Sequence, residues 1–248
     1  MFFLILIALL HFFVGLMIGS SGIGGFIIPM VLHGLMGFSV ETSFGISFIS
    51  FTVAGALGTV LFLRHGNLDL PRAALLSVGS IPGSLAGVLL VKSVPESISA
   101  LVFYVFILAS GIYFFFSRTG SRREESRALT PTEVMLLPFV GIVTAAVCST
   151  VGASGPILVV PVLRFLKVPM KRAVGIALFN SVLLSLSAAF GYMDHTASDI
   201  LIYIVPGLAG IGLGVLAGER ILRGLNPFLP VSYTHLRAHE TVLDIVCR

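Results

Sequence analysis

Seven stretches of the chain, residues 2–18, 43–63, 73–91, 98–117, 134–150, 173–190 and 200–218, run for 17 to 21 residues without a single Asp, Glu, Lys or Arg. A helix needs roughly 20 apolar residues to cross the ~30 Å hydrocarbon core of a bilayer. A soluble domain carries about 25% charged residues. Here only 10% of the residues are charged and 56% are apolar, too little charge to cover a surface facing water. In lipid that cover is not needed, provided each backbone polar group finds its partner within a helix. The fold class that follows is an all-α polytopic membrane protein.

The net charge of +4 and pI of about 9.4 do not point to nucleic acid. The basic residues sit between the apolar runs and form no stripe. The N-terminus, MFFLILIALLHFF, lacks a basic leader and a small-residue cleavage site, so it reads as a retained span. The two cysteines, Cys148 and Cys247, form neither a disulfide framework nor a metal site. Cys148 reads as a small packing residue.

Two further apolar stretches, 26–36 and 156–166, are too short to span. Each has 11 residues and would rise about 17 Å as helix. Each follows a longer run across a glycine break: Gly19-Ser20-Ser21-Gly22-Ile23-Gly24-Gly25 in one case and Gly152-Ala153-Ser154-Gly155-Pro156 in the other. The breaks recur with a fixed offset. Gly22, Gly25 and Gly45 precede Gly152, Gly155 and Gly175 by 130 residues, and Gly79, Gly83 and Gly87 precede Gly210, Gly214 and Gly218 by 131. The chain reads as an internal repeat: a first transmembrane half over 1–117, a polar linker over 118–133 and a second half over 134–229. Each GxxxGxxxG is a small-residue face that lets another helix approach closely.

Lysines and arginines give the orientation. With loops 64–72, 118–133, 164–172 and 219–224 on one side, that side carries 12 basic residues and the other carries 1. The positive-inside rule makes the first side cytoplasmic. The segment 134–166 must then return to its starting side as a hairpin, and the first half must do the same from outside. The halves are expected to be inverted repeats, as in many secondary transporters.

The expected site lies at the breaks. Opened backbone within a membrane is tolerated only where it lines a cavity or is buried in protein. A short helix starting at Phe26 or Pro156 would aim its N-terminal N–H groups at the turn, and that end favours anions. Proline suits a first helical position. The candidate solute-binding residues are Ser20, Ser21, Gly22, Gly24 and Gly25 from the first break and Ser149, Thr150, Gly152, Ser154 and Gly155 from the second. Ser47 and Asn180 join them as polar groups within spans. The alternative is tight packing, with Asn180 as a hydrogen bond between helices. Glu41 is either a gating or proton-carrying carboxylate or a solvated one. Asp194 and His195 read as hydrated loop residues, and His11 and His33 as packed imidazoles. GIGGF is not a dinucleotide fingerprint, because no βαβ unit surrounds it.

The end of the chain breaks the repeat. After Pro227 the first half predicts a further apolar span, yet the chain reads PVSYTHLRAHETVLDIVCR. Residues 230–248 resemble translated read-through of sequencing-adapter DNA. They are expected to be a non-native tail in place of a last helix, which removes His235 and His239 from any metal role.

GIGGFIIP (22–29), GASGPILVVP (152–161) and the helix starts at Gly45 and Gly175 resemble the TauE/SafE sulfite-exporter family. Its halves each open with a GIGGG…P motif followed by a G-T-S helix start. This chain departs from that pattern with GASGP, with Ile46 and Ile176 for Thr and with Ala177 for the second Ser. The resemblance covers about residues 1–229 and implies a permease for small anions such as sulfite, sulfoacetate or other organosulfur compounds. The expected partners are the anionic solute, the bilayer of a prokaryotic inner membrane and a second copy in a homodimer, with no cofactor and no metal. A membrane-embedded enzyme is disfavoured, because the spans lack the convergent acids and bases it would need. A non-transporting scaffold subunit is the remaining alternative.

Overall fold

The computed structural model describes residues 2–22, 24–116, 129–193 and 197–225. Over them the chain forms α1 (Phe2–Ser21), α2 (Ile27–Gly34), α3 (Val40–Arg64), α4 (Leu70–Lys92), α5 (Glu96–Phe116), α6 (Pro131–Thr150), α7 (Pro156–Phe165), α8 (Met170–Tyr192) and α9 (Ala197–Leu225). Six of these helices, α1, α3, α4, α6, α8 and α9, are long and apolar enough to cross a membrane. The two short stretches become α2 and α7, of 8 and 10 residues, which rise only about 12 and 15 Å.

The helix ends follow from local chemistry. Ser39 caps α3 by accepting from Thr42 N at 3.2 Å, and Asp69 caps α4 by accepting from Arg72 N at 3.3 Å. Thr130 and Glu133 form a reciprocal capping box at the start of α6, which satisfies two orphan donors of the first turn. The second half therefore begins its first helix at Pro131, inside the stretch read from the sequence as linker. Pro156 opens α7.

The sequence reads loop 64–72 as a source of cytoplasmic charge, but Arg72 is not a solvated loop residue. It is only 6% exposed. Its guanidinium bonds Asp69 beside it and reaches Glu133 of α6 at 3.0 Å. Arg172, at the start of α8, stands 4.0 Å from the same Asp69. These charges tie the N-terminal ends of α4, α6 and α8 together, and this face is referred to below as the Asp69 end. The opposite face, where α3 begins and α4 and α8 finish, is the Glu41 end.

Backbone approach through glycine organises the packing. α4 lies along α6, and a Cβ on Gly79 or Gly83 would run into the carbonyls of Pro138 and Ile142. α9 lies along α1 in the same way, with Gly210, Gly214 and Gly218 against the carbonyls of Ala8, Phe12 and Leu16. Each GxxxGxxxG thus pairs with the first helix of the other half. α3 and α8 cross at the centre, where a Cβ on Gly55 would meet Leu178 O at 3.0 Å. α4 also packs on α8 and α3 on α9, while α2 leans on α3 and α7 on α8. Every one of these contacts in one half has its counterpart in the other.

The core around the α3–α8 crossing is aromatic. Phe44, Phe48, Phe51 and Phe103 are all buried, with Phe44 edge-on to both Phe103 and Tyr192 and Phe48 stacked on Tyr192. The outer surface is apolar: Leu101, Leu108, Phe139 and Phe190 are all more than half exposed. That distribution suits a lipid solvent.

Candidate functional site

The two hairpins approach the centre from opposite ends. α1 descends beside α9 from the Glu41 end, and α2 turns back toward it, where Phe38 meets Tyr203 and His33 meets Tyr104. α6 starts at the Asp69 end, and α7 returns there. Glycine makes both turns possible. Gly22 and Gly24 have φ of 76° and 131°, and Gly152 has φ of 62°. Side chains with a Cβ rarely adopt these values.

The tips of the hairpins touch. A Cβ on Gly25 would lie 2.7 Å from Ser154 Oγ and 2.8 Å from the ring of Phe51. Gly155 packs on α8, where an added Cβ would lie 3.4 Å from Ala177 O and from Ser181. Gly22 lies further toward the Asp69 end, against Val174, and Gly152 further toward the Glu41 end, under the ring of Phe44. The main-chain N–H groups of Gly25, Phe26, Ser154 and Gly155 find no acceptor among the described residues. Pro156, next in line, has no N–H. Four unpaired donors thus collect at the positive ends of two short helices, an arrangement that favours an anion or water.

Asn180 stands one residue before Ser181 on α8 and is fully buried. Its Oδ1 accepts from Ser80 Oγ of α4 at 2.6 Å, while its Nδ2 has no partner. An unsatisfied buried amide costs about 1–3 kcal/mol, so this donor is a second place where a polar solute would be stabilised. The hydrogen bond between helices and the free donor therefore coexist in one side chain.

The other expected residues divide by what they touch. Ser47 donates to Ser43 O at 2.6 Å, Ser149 to Ala145 O at 2.7 Å and Thr150 to Ala146 O at 2.8 Å, all within their own helices. Ser149 and Thr150 also face Gly87 of α4, which places them at the α4–α6 contact. Ser20 donates to Met17 O at 3.1 Å. Ser21 is the last residue of α1, and Ile23, Asp194, His195 and the tail 230–248 lie outside the described residues. The geometry thus gathers Gly25, Ser154, Gly155 and the Asn180 region, while Ser47 and Ser149 spend their hydroxyls on their own helices and Thr150 divides its hydroxyl between α6 and Gly87 O of α4.

Sequence reading missed three features. Ser77, Ser80 and Ser84 give α4 a buried hydroxyl face toward α8. Their spacing of three and four was visible, but a serine in an apolar run carries little signal by itself. Tyr192 spans from α8 to α6, where its hydroxyl donates to Ser149 O at 2.7 Å. A cavity of about 320 Å³ opens at the Glu41 end, lined by residues that include Glu41, Gly45, Glu96, Ser99 and Tyr192. Among the described residues no group of His, Cys, Asp and Glu is arranged to hold a metal ion.

Comparison with known proteins agrees with this architecture. Over 258 aligned residues the chain is 26% identical to a probable membrane transporter protein of Methanocaldococcus jannaschii, covering 95% of this chain and 91% of that one. No solved structure matches it. The family model described as Sulfite exporter TauE/SafE matches residues 7–232. The paired glycine breaks are thus set in a membrane protein that belongs to the TauE/SafE sulfite exporter family.

Proposed function

We propose that the protein is a secondary transporter that passes small anions, sulfite, sulfoacetate or related organosulfur compounds, across the inner membrane of a prokaryotic cell. The single observation that carries this reading is the contact of the two breaks, Gly25 against Ser154, with unpaired N–H groups on both sides. Ser154, Gly155, Gly25 and the free Nδ2 of Asn180 are the groups that would hold the anion. Gly22, Gly24 and Gly152 shape the turns.

The halves are inverted repeats in this reading, with α1 to α4 corresponding to α6 to α9. The matched helix pairings support it, as does the arrival of one hairpin from each end. Broken helices meeting at a repeat interface commonly frame the solute site of a secondary transporter, and rocking of one unit against another gives alternating access. The Asp69 end, with its basic loops, is the cytoplasmic side. No phosphate-binding loop motif is present in the sequence, so a gradient or downhill flux drives the step.

The test is flux into proteoliposomes, with sulfite, sulfate, sulfoacetate, thiosulfate and a short carboxylate as solutes, with and without a pH gradient. Saturable flux of a sulfur anion is the expected result. No flux of any of them from folded protein, together with recovery of a stoichiometric membrane partner from cells, would replace this reading with the scaffold one.

A further inference from the structure

The cavity at the Glu41 end has a chemistry that suits something other than the anion. Among the described residues two carboxylates, Glu41 and Glu96, line it, and no Lys, Arg or His does. Neither carboxylate has a cationic partner among the described residues. Glu96 is held in place, because its Oε1 accepts from Val40 N at 2.8 Å at the start of α3. Glu41 stands in the first turn of the same helix. The positive helix end offsets roughly half a charge, which leaves the cavity net negative.

Ser99 supplies the second observation. It is 3% exposed and lines this cavity, and its Oγ has no hydrogen-bond partner among the described residues. A buried hydroxyl without a partner calls for a ligand or water. Six of the side chains around the cavity, Ser39, Glu41, Thr42, Glu96, Ser99 and Tyr192, offer oxygen, and the one other donor atom is the soft thioether of Met193, a poor ligand for a hard cation. Such an oxygen set suits hard cations. The start of α5, where Glu96 stands, offsets about another half charge, so about one net negative charge remains, which matches a monovalent ion. Tyr192 lines the cavity, and its hydroxyl reaches Ser149 O beside the second break. An anion entering from this end therefore meets uncompensated carboxylates just before the site.

We propose that this cavity binds a hard monovalent cation, with Na⁺ as its probe, through Glu41, Ser99 Oγ and the free oxygen of Glu96. The bound cation neutralises the approach and so couples cation to anion. The coupling part rests on the transport reading above, whereas the binding part does not.

The experiment separates the two. Thermal unfolding of the purified full-length chain is followed in NaCl and in choline chloride at equal ionic strength, with no transported anion present. The expected result is a Tm about 3 °C or more higher in Na⁺, an increment that Glu41→Gln and Ser99→Ala each reduce by at least half. Equal Tm in the two salts, or a Na⁺ increment that Glu41→Gln keeps in full, overturns the cation site. In proteoliposomes, sulfite uptake is expected to rise at least several-fold under an inward Na⁺ gradient, a gain that Glu41→Gln loses. Sulfite uptake indifferent to Na⁺ overturns the coupling. Absence of flux for every anion, with the Na⁺ increment in Tm intact, overturns the transport reading and leaves the cation site standing.

Discussion

Gly45 and Gly175 stand at corresponding places in the two halves, each followed by Ile, yet their surroundings differ. Among the described residues, a Cβ on Gly45 would find its nearest neighbour, Tyr192 Cβ, at 3.5 Å, and the residue faces the cavity at the Glu41 end. A Cβ on Gly175 would lie 2.6 Å from Asn67 O and 3.2 Å from the ring of Phe62. The loop between α3 and α4 fills the space beside Gly175 at the Asp69 end, whereas among the described residues a cavity lies beside Gly45 at the Glu41 end. Phe62 and Tyr192 are themselves equivalent by the same offset of 130 residues, so the difference comes from Asn67, whose carbonyl in the α3–α4 loop crowds Gly175. A transporter with equivalent halves needs such a difference, because the state open to one side must not be open to both. The difference lies partly in a loop backbone, which moves at lower cost than a packed helix.

The sharpest way to break this comparison is to jam the centre that both ends share. Gly25→Leu and Gly155→Leu put branched side chains against Ser154 and Phe51 or against Ala177 and Ser181. Loss of at least roughly 100-fold in sulfite flux is expected, with the protein still inserted and monodisperse, since overpacking costs about 1–3 kcal/mol locally. Normal flux in both would remove the breaks from the mechanism. Next in size is accessibility. In a background carrying both Cys148→Ala and Cys247→Ala, a cysteine replacing Gly45 is expected to react with an impermeant maleimide at least about tenfold faster than one replacing Gly175, because Gly45 lines the cavity at the Glu41 end and Gly175 is crowded by Asn67 and Phe62. Equal rates would erase the distinction between the ends.

A smaller effect separates the same two positions by stability. Gly175→Ala must displace the Asn67 carbonyl and is expected to destabilise by about 1–3 kcal/mol. Gly45→Ala meets ordinary van der Waals contact and should stay within about 0.5 kcal/mol. Thermal unfolding in detergent reads both, and a larger loss at Gly45 would reverse the comparison. The smallest effect is Tyr192→Phe, which removes the bond to Ser149 O while keeping the ring between Phe44 and Phe48. A loss of about 1 kcal/mol is expected, together with easier passage from the Glu41 end, read as a raised maleimide rate at Ser154→Cys.

What the sequence disclosed follows from local rules. Span positions were legible because a charge-free run of about 20 residues has few other fates. The breaks were legible because clustered glycine is costly in a helix unless used. The two GxxxGxxxG faces announced close approach, and both are buried against carbonyls. Which helix each face meets was not legible, since periodicity names a face and not its partner. Arg72 shows the same limit: as a residue it reads as loop charge, and only the fold brings Glu133, 61 residues away, within 3.0 Å of it. The link from Ser80 to Asn180, 100 residues apart, and the reach of Tyr192 to Ser149 were hidden for that reason. Asn180 was singled out because an amide within a span is conspicuous, whereas its serine partner was not.

The exchange of first helices between halves bears on how the chain is made. α1 leaves the ribosome first, yet the glycine face of α9 that it packs against is synthesised roughly 200 residues later, about 10–40 s at 5–20 residues per second. During that interval the α1 face around Gly15 and Gly19, which ends up against Ile211 and Val215, has only lipid or the insertion machinery for company. α6 meets no such delay, because α4 is already in place when it emerges. The second half therefore docks on a finished surface, and the first is completed last, by the arrival of α9.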